Sequence, residues 1–201
     1  QQGQQGDYYS PNYMRYSDYV YVPNIRTVQL YPEGNDLLPP ILELKKTEKL
    51  VLHFDDMDAD FKPYFYTFIH CDANWVPTQR MLPQQCISGY LEDRIYNYKF
   101  SFGTLTKYTH YSVSFPNENI QPILAGNYIL KVYPENNPDN PIITKRFMIL
   151  DPKLAVTVNI HRATVVDDYN TKQEIDFKLL NPNYQINDPY NDLKVVICQN
   201  N

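Results

Sequence analysis

The densest chemistry in the sequence is an acidic run, FDDMDAD, that holds Asp55, Asp56, Asp58 and Asp60. Asp56, Asp58 and Asp60 copy the alternate oxygen spacing that opens a calcium-binding loop. The rest of such a loop is missing. Phe61 stands where the sharp turn requires Gly, and Thr67 where a bidentate Glu closes the coordination shell. A solvated acidic connection between two strands is the better reading, with calcium at Asp56, Asp58 and Asp60 left open. The four histidines, His53, His70, His110 and His161, contain no i, i+2 or i, i+4 pair and so suggest no chelating set. His110 and His161 alternate with polar neighbours and read as surface. His70 precedes Cys71, which invites a thiol nucleophile with a histidine base. Successive strand residues point to opposite faces, so His70 is badly placed to take that proton, and Cys71 reads as a buried structural cysteine.

Cys71, Cys86 and Cys198 have no metal-ligand spacing, and an odd number cannot all pair within one chain. A Cys71–Cys86 disulfide is geometrically open. The sequence lacks a G-x-S-x-G elbow, a P-loop, a G-x-G-x-x-G turn and an H-E-x-x-H helix. A carboxylate pair for glycoside hydrolysis is a tertiary matter that spacing does not address. The expectation is a protein that is not an enzyme, with no catalytic residue, metal ligand, cofactor or small-molecule substrate.

The elements that would carry these residues are strands. With 43% hydrophobic and 14% aromatic residues in a 201-residue chain, a core is affordable and a disordered tail is excluded. Nineteen Tyr and 16 Pro against 6 Gly favour strands joined by Pro/Asn turns. At a net charge of −5, no Lys/Arg run tracks a phosphate backbone, so nucleic acid is not an expected partner. No apolar run approaches the roughly 20 residues of a membrane span. The chain opens at Gln1 without a signal sequence, and is expected to be a mature or trimmed product.

Residues 1–23 read as a Gln/Tyr-rich arm, with tyrosines at 8, 9, 13, 16, 19 and 21. Its last residues, 19–22, are suited to adding a strand to the chain's own sheet. Strands are expected at 25–31, 41–44 running on to 50–55, 64–72, 96–102, 109–115, 127–133 and 142–150. Thr109, Tyr111, Val113 and Phe115 share one face and His110, Ser112 and Ser114 the other, so one face is buried and one wet. Tyr128, Leu130 and Val132 do the same against Lys131. The run 64–72 is apolar on both faces and belongs centrally in a sheet. In LTKYTHYSVSF, Leu105 precedes Tyr111 by six residues, like the tyrosine corner of immunoglobulin-like sandwiches, and Trp75 is the natural filler of such a core. The fold class is all-β: an immunoglobulin-like or fibronectin-like β-sandwich over 24–151. After it, KLAVTVNIH, KQEIDFKLL and DLKVVICQ supply three strands, too few to close a sandwich. Residues 152–201 are therefore expected to be the truncated start of a second β-domain.

Read in order, NIRTVQLYPEGNDLLPPILEL, LVLHFDDMDADFKPYFYTFIHCDANW, ISGYLEDRIYNYKFSFGTLTKYTHYSVSFPNENIQPILAGNYILKVY and ITKRFMIL resemble one family. It is the N-terminal domain family of the type IX secretion system plug protein, formerly a domain of unknown function. The resemblance is dense from Asn24 to Leu150 and weak in the arm and around 77–87. It implies an exported, periplasmic protein of tandem immunoglobulin-like domains, associated with the outer membrane. Such a protein binds the periplasmic end of the translocon barrel and blocks the channel. It brings no catalytic or metal residue with it. Tyrosine gives large contact area with few rotors, so Tyr8, Tyr9, Tyr13 and Tyr16 in the arm and Tyr90 and Tyr96 in the loop 88–98 are the expected partner-binding residues. The competing reading is a carbohydrate- or adhesin-type binding module. The Ser, His and Lys on the expected wet faces count against it.

Overall fold

The structure, a computed structural model, describes residues 13–180 and 184–197. Tyr8, Tyr9 and Cys198 lie outside the described residues. The chain divides into two units, one ending at Asp151 and one beginning at Pro152. The first unit contains β1 (Tyr19–Val20), β2 (Ile25–Pro32), β3 (Ile41–Glu43), β4 (Leu50–Asp56), β5 (Tyr64–Cys71), β6 (Ile87–Gly89), β7 (Glu92–Arg94), β8 (Asn97–Phe100), β9 (Thr109–Phe115), β10 (Ile120–Pro122), β11 (Gly126–Pro134) and β12 (Ile143–Leu150). The second contains the antiparallel pair β13 (Ala155–Arg162) and β14 (Gln173–Leu180).

One sheet runs β1–β12–β11–β5–β7, with β3 parallel to the far end of β12. The other runs β2–β4–β9–β8, and β6 and β10 form a small ribbon of their own. Leu50, Leu52 and Phe54 of β4 face Tyr64, Tyr66 and Phe68 of β5, all buried. Period two in the sequence thus becomes two inner faces, and the fold is an all-β sandwich. Its core is aromatic. Phe54 stacks on Tyr111 at 5.1 Å between centroids and meets Tyr64 edge-on at 5.5 Å. Phe147 packs edge-on against Phe68 and Phe115, both at 5.3 Å. Offset and edge contacts of this kind add to what area burial alone supplies.

Several expectations are corrected. The stretch from 41 to 55 does not run on within one sheet. Lys45 takes a left-handed φ of 67°, and β3 and β4 enter different sheets. Trp75 is only half-buried, in the turn after β5 at a φ of 63°, with the Arg146 guanidinium 4.3 Å from its ring centroid. The phenylalanines and tyrosines fill the core in its place. The Tyr111 hydroxyl does bond upstream backbone, accepting from Lys62 N at 2.7 Å, but that lies 49 residues away, and Leu105 is fully exposed. There is no local corner. The second face of β11 is also covered, since Ile129 and Tyr133 are buried. β6, β7 and β10 have three residues each, too short for alternation to reveal.

Candidate interaction surface

The segment carrying Tyr90 and Tyr96 is held by backbone pairing and by one buried carboxylate. Gly89 ends β6 at a φ of 89°, and a Cβ there would lie 2.2 Å from the Asn119 carbonyl oxygen. Only glycine allows so close an approach to β10. The next amide, Tyr90 N–H, donates to the Asn119 carbonyl at 2.7 Å, which leaves the Tyr90 ring 69% exposed. Three residues on, β7 pairs with β5, and Asp93 turns inward. Its Oδ2 accepts from the Tyr66 hydroxyl at 3.2 Å and from Asn117 Nδ2 at 3.3 Å; Oδ1 accepts from Asn119 Nδ2 at 3.2 Å. Asn117 Oδ1 in turn accepts from the backbone of Asn119 and Ile120 at 2.9 and 3.0 Å. Burial, and after it the Asp93 charge, pushes the Tyr66 hydroxyl well above its ordinary pKa. Asp93 therefore ties β5, β7 and the 117–120 turn into one body.

Ile95 is buried and donates to the Tyr64 carbonyl at 2.8 Å, so Tyr96 points outward, 70% exposed. It borders a groove of about 510 Å³ lined by Asp93, Arg94, Asn97, Asn117 and Asn119. The Arg94 guanidinium is 5.7 Å from the ring centroids of both Tyr96 and Phe61. Tyr90 and Tyr96 are thus exposed aromatics on a rigid base. Nothing in the alternation marked Asp93 or Asn117 as their supports, because both act across strands distant in sequence.

The arm behaves differently. β1 pairs with Ile143 and Thr144 on the edge of β12. Asp18 accepts from Lys145 Nζ and from Arg146 N, the latter at 2.7 Å, and Arg146 Nε donates to the Tyr16 carbonyl at 2.9 Å. Tyr13 and Tyr16 are half-buried. Burial first, then the neighbouring Cys71, raises the Tyr16 hydroxyl pKa. Cys71 is a buried free thiol pushed up to about 11 by burial and by Asp72, and Cys86 is likewise buried and free. Neither is poised as a thiolate nucleophile.

The acidic run closes on itself. Asp56 is fully buried and accepts from Tyr64 Oη at 2.8 Å, Asn24 Nδ2 at 2.8 Å, Asp58 N at 3.0 Å and Lys62 Nζ at 2.9 Å. On the outer face of the four-stranded sheet, His110 Nδ1 bonds the Asp55 carboxylate at 2.7 Å, and its Nε2 lies 3.2 Å from His53 Nδ1. The Tyr31 ring stacks on His53 at 5.6 Å. Sequence spacing missed this pair, because strand register and not i, i+2 places His53 beside His110. In the second unit, His161, Glu174 and Asp176 bring ligand atoms within 4.8 Å of one another. His161 Nε2 already bonds Asp176 at 2.9 Å, and Glu174 Oε2 accepts from the Thr164 amide and hydroxyl at 2.8 and 2.7 Å.

Residues 25–151 match the family described as type 9 secretion system plug protein, 1st domain. A crystal structure of a hypothetical protein from Parabacteroides merdae superposes with a TM-score of 0.82 at 28% identity over 89% of this chain. The chain spans only 45% of that protein's length. An alkylpurine DNA glycosylase from Pseudomonas fluorescens, bound to DNA containing an abasic site analogue, aligns over 63% of this chain and 30% of its own. Its TM-score of 0.30 and 10% identity carry no argument. No curated protein matches the chain. Among the described residues, no helix is long and apolar enough to cross a membrane.

Proposed function

We infer a role in obstruction from a plain premise: this chain belongs to the type 9 secretion system plug protein family. The coarse role is participation in type IX secretion. The finer reading is a non-enzymatic, periplasmic plug that binds the periplasmic end of the outer-membrane translocon barrel and blocks it. The observation that carries this reading is that the family match spans the sandwich from its first long strand to its last. A compact domain of that length has a radius of gyration of about 14 Å, so its bulk can obstruct a pore narrower than itself. Obstruction needs stiffness and a fitted surface, with no turnover. The Asp93 clamp is the kind of support that gives Tyr90 and Tyr96 such stiffness. These two rings are the first contact residues in this reading, with Tyr8, Tyr9, Tyr13 and Tyr16 of the arm as the second set. An interface of roughly 1,600 Å² is enough for stable closure.

The test is affinity purification of the full-length protein from its native membrane. A large outer-membrane barrel is expected to co-purify, and its absence sinks the reading. Recovery that survives removal of residues 1–23 together with Tyr90→Ala and Tyr96→Ala moves the contact elsewhere on the sandwich.

A further inference from the structure

The hairpin that joins β8 to β9 carries large apolar side chains into solvent. Phe102 and Leu105 are fully exposed, and Phe100 is 55% exposed. Among the described residues β8 pairs with β9 alone, so none of them extends the sheet over this end. Tyr98 still packs on Phe61, at 4.8 Å between centroids, while Phe100 touches only the Tyr98 edge at 5.6 Å among the described rings. The tip is nonetheless a shaped loop. Ser101 N donates to the Tyr108 carbonyl at 2.9 Å, Tyr108 N donates to Ser101 Oγ at 3.0 Å, and Gly103 turns the chain at a φ of 70°. The residue order is near-symmetric about the tip. Tyr98 and Lys99 enter it, Phe100, Phe102 and Leu105 form it, and Lys107 and Tyr108 leave it. No Asp or Glu lies between Lys99 and Lys107, in a chain of net charge −5. Among the described residues neither lysine is in an ion pair.

We propose that this hairpin is a lipid anchor, with Phe102, Leu105 and Phe100 entering the acyl boundary of an anionic bilayer leaflet. The layering carries the assignment. Apolar groups occupy the apex, lysines stand where their stems lie along lipid and their ammonium groups reach phosphate, and tyrosines follow at the interfacial level. A protein partner fits less well. Three projecting side chains cover far less than the roughly 1,600 Å² of a standard interface, and the positive flank calls for negative headgroups. The inference does not rest on the plugging role.

The test is flotation of the 201-residue chain with phosphatidylcholine vesicles, with and without about 30% phosphatidylglycerol. The wild type is expected to float with the anionic vesicles. The double substitution Phe102→Asp, Leu105→Asp is expected to weaken this by about tenfold or more with no change in melting temperature. Lys99→Gln with Lys107→Gln is expected to cut binding to anionic vesicles by about tenfold and to leave neutral ones unaffected. Wild type that stays with the unbound fraction, or variants that float like wild type, overturn the proposal. So does a concentration-dependent dimer that the tip substitutions dissolve while vesicles are ignored, since the tip is then a contact between copies. Barrel recovery by the Phe102→Asp, Leu105→Asp protein reads the plugging role separately.

Discussion

The Lys62 ammonium lies 2.9 Å from the buried Asp56 carboxylate and also bonds Asp58. A side-chain cation thus stands between two of the three carboxylates that the calcium-like spacing singled out, Asp56 and Asp58. Calcium would have to displace a tethered charge that costs no association entropy. Millimolar calcium or a chelator is therefore expected to leave the melting temperature unchanged. A site filled at 100 times its Kd would add about 2.7 kcal/mol, or several degrees, and calorimetry resolves the two cases.

Asp56 also sets an acid limit. Burial alone would raise its pKa. The bonds from the Asp58 amide, Lys62, Tyr64 and Asn24 outweigh burial and hold it below the ordinary carboxylate value. A depressed folded-state pKa means that the stability it contributes is present above the unfolded value near 3.9 and is lost as pH falls through the folded pKa. Asp56→Asn is expected to be less stable at neutral pH by about 3 kcal/mol, since it leaves Lys62 and the other donors facing a neutral amide. The gap to wild type is expected to narrow below about pH 4. Parallel denaturant titrations at neutral and acid pH measure both.

What was legible in the sequence follows the reach of each signal. Long strands such as β4, β9 and β11 announced themselves because each buries a full alternating face, and the family segments lie along them. Trp75 and Tyr111 misled for a common reason. Residue type says that a side chain wants cover and not which segment supplies it, and here Arg146 and the 60–62 connection did so from far away in sequence. The His53–His110 pair and the Asp93–Asn117 clamp depend on register between strands, which no local spacing encodes. Phe102 and Leu105 carry the pattern of ordinary strand and corner residues, and it is the end of the sheet beneath them that leaves both in solvent.

His53 gives a second pH effect, with the opposite chemistry. Burial, then the neighbouring His110, lowers its pKa. The folded chain therefore binds fewer protons than the unfolded one between the folded pKa and the unfolded value of about 6.5, and stability falls as pH drops through that window. His53→Gln is expected to remove this loss, so that its stability is flatter than wild type between about pH 7 and 5. An unaltered slope would show that the proton is taken up elsewhere in the row.

Gly89→Ala is expected to be costly for a backbone reason. The added methyl would sit 2.2 Å from the Asn119 carbonyl oxygen at a φ that L residues rarely adopt. Separation of β6 from β10 releases the Tyr90 amide as well. A loss of about 2–3 kcal/mol is expected, with faster hydrogen exchange at Tyr90 and Ile120 before other strand amides.

Tyr90→Ala and Tyr96→Ala separate contact from folding. Both rings are mostly exposed, so each truncation is expected to change stability by no more than about 0.5 kcal/mol. If they are anchors at a desolvated rim, each is expected to weaken barrel binding by about 10- to 30-fold, the effect of losing roughly 1.4–2 kcal/mol. Asp93→Asn is the informative third variant. It keeps both rings but removes the charge that Tyr66, Asn117 and Asn119 converge on, so it is expected to lower stability and weaken binding together. Binding that tracks the tyrosines alone, with Asp93→Asn as tight as wild type, would mean that the rings adapt to the rim and that the stiffness beneath them is incidental.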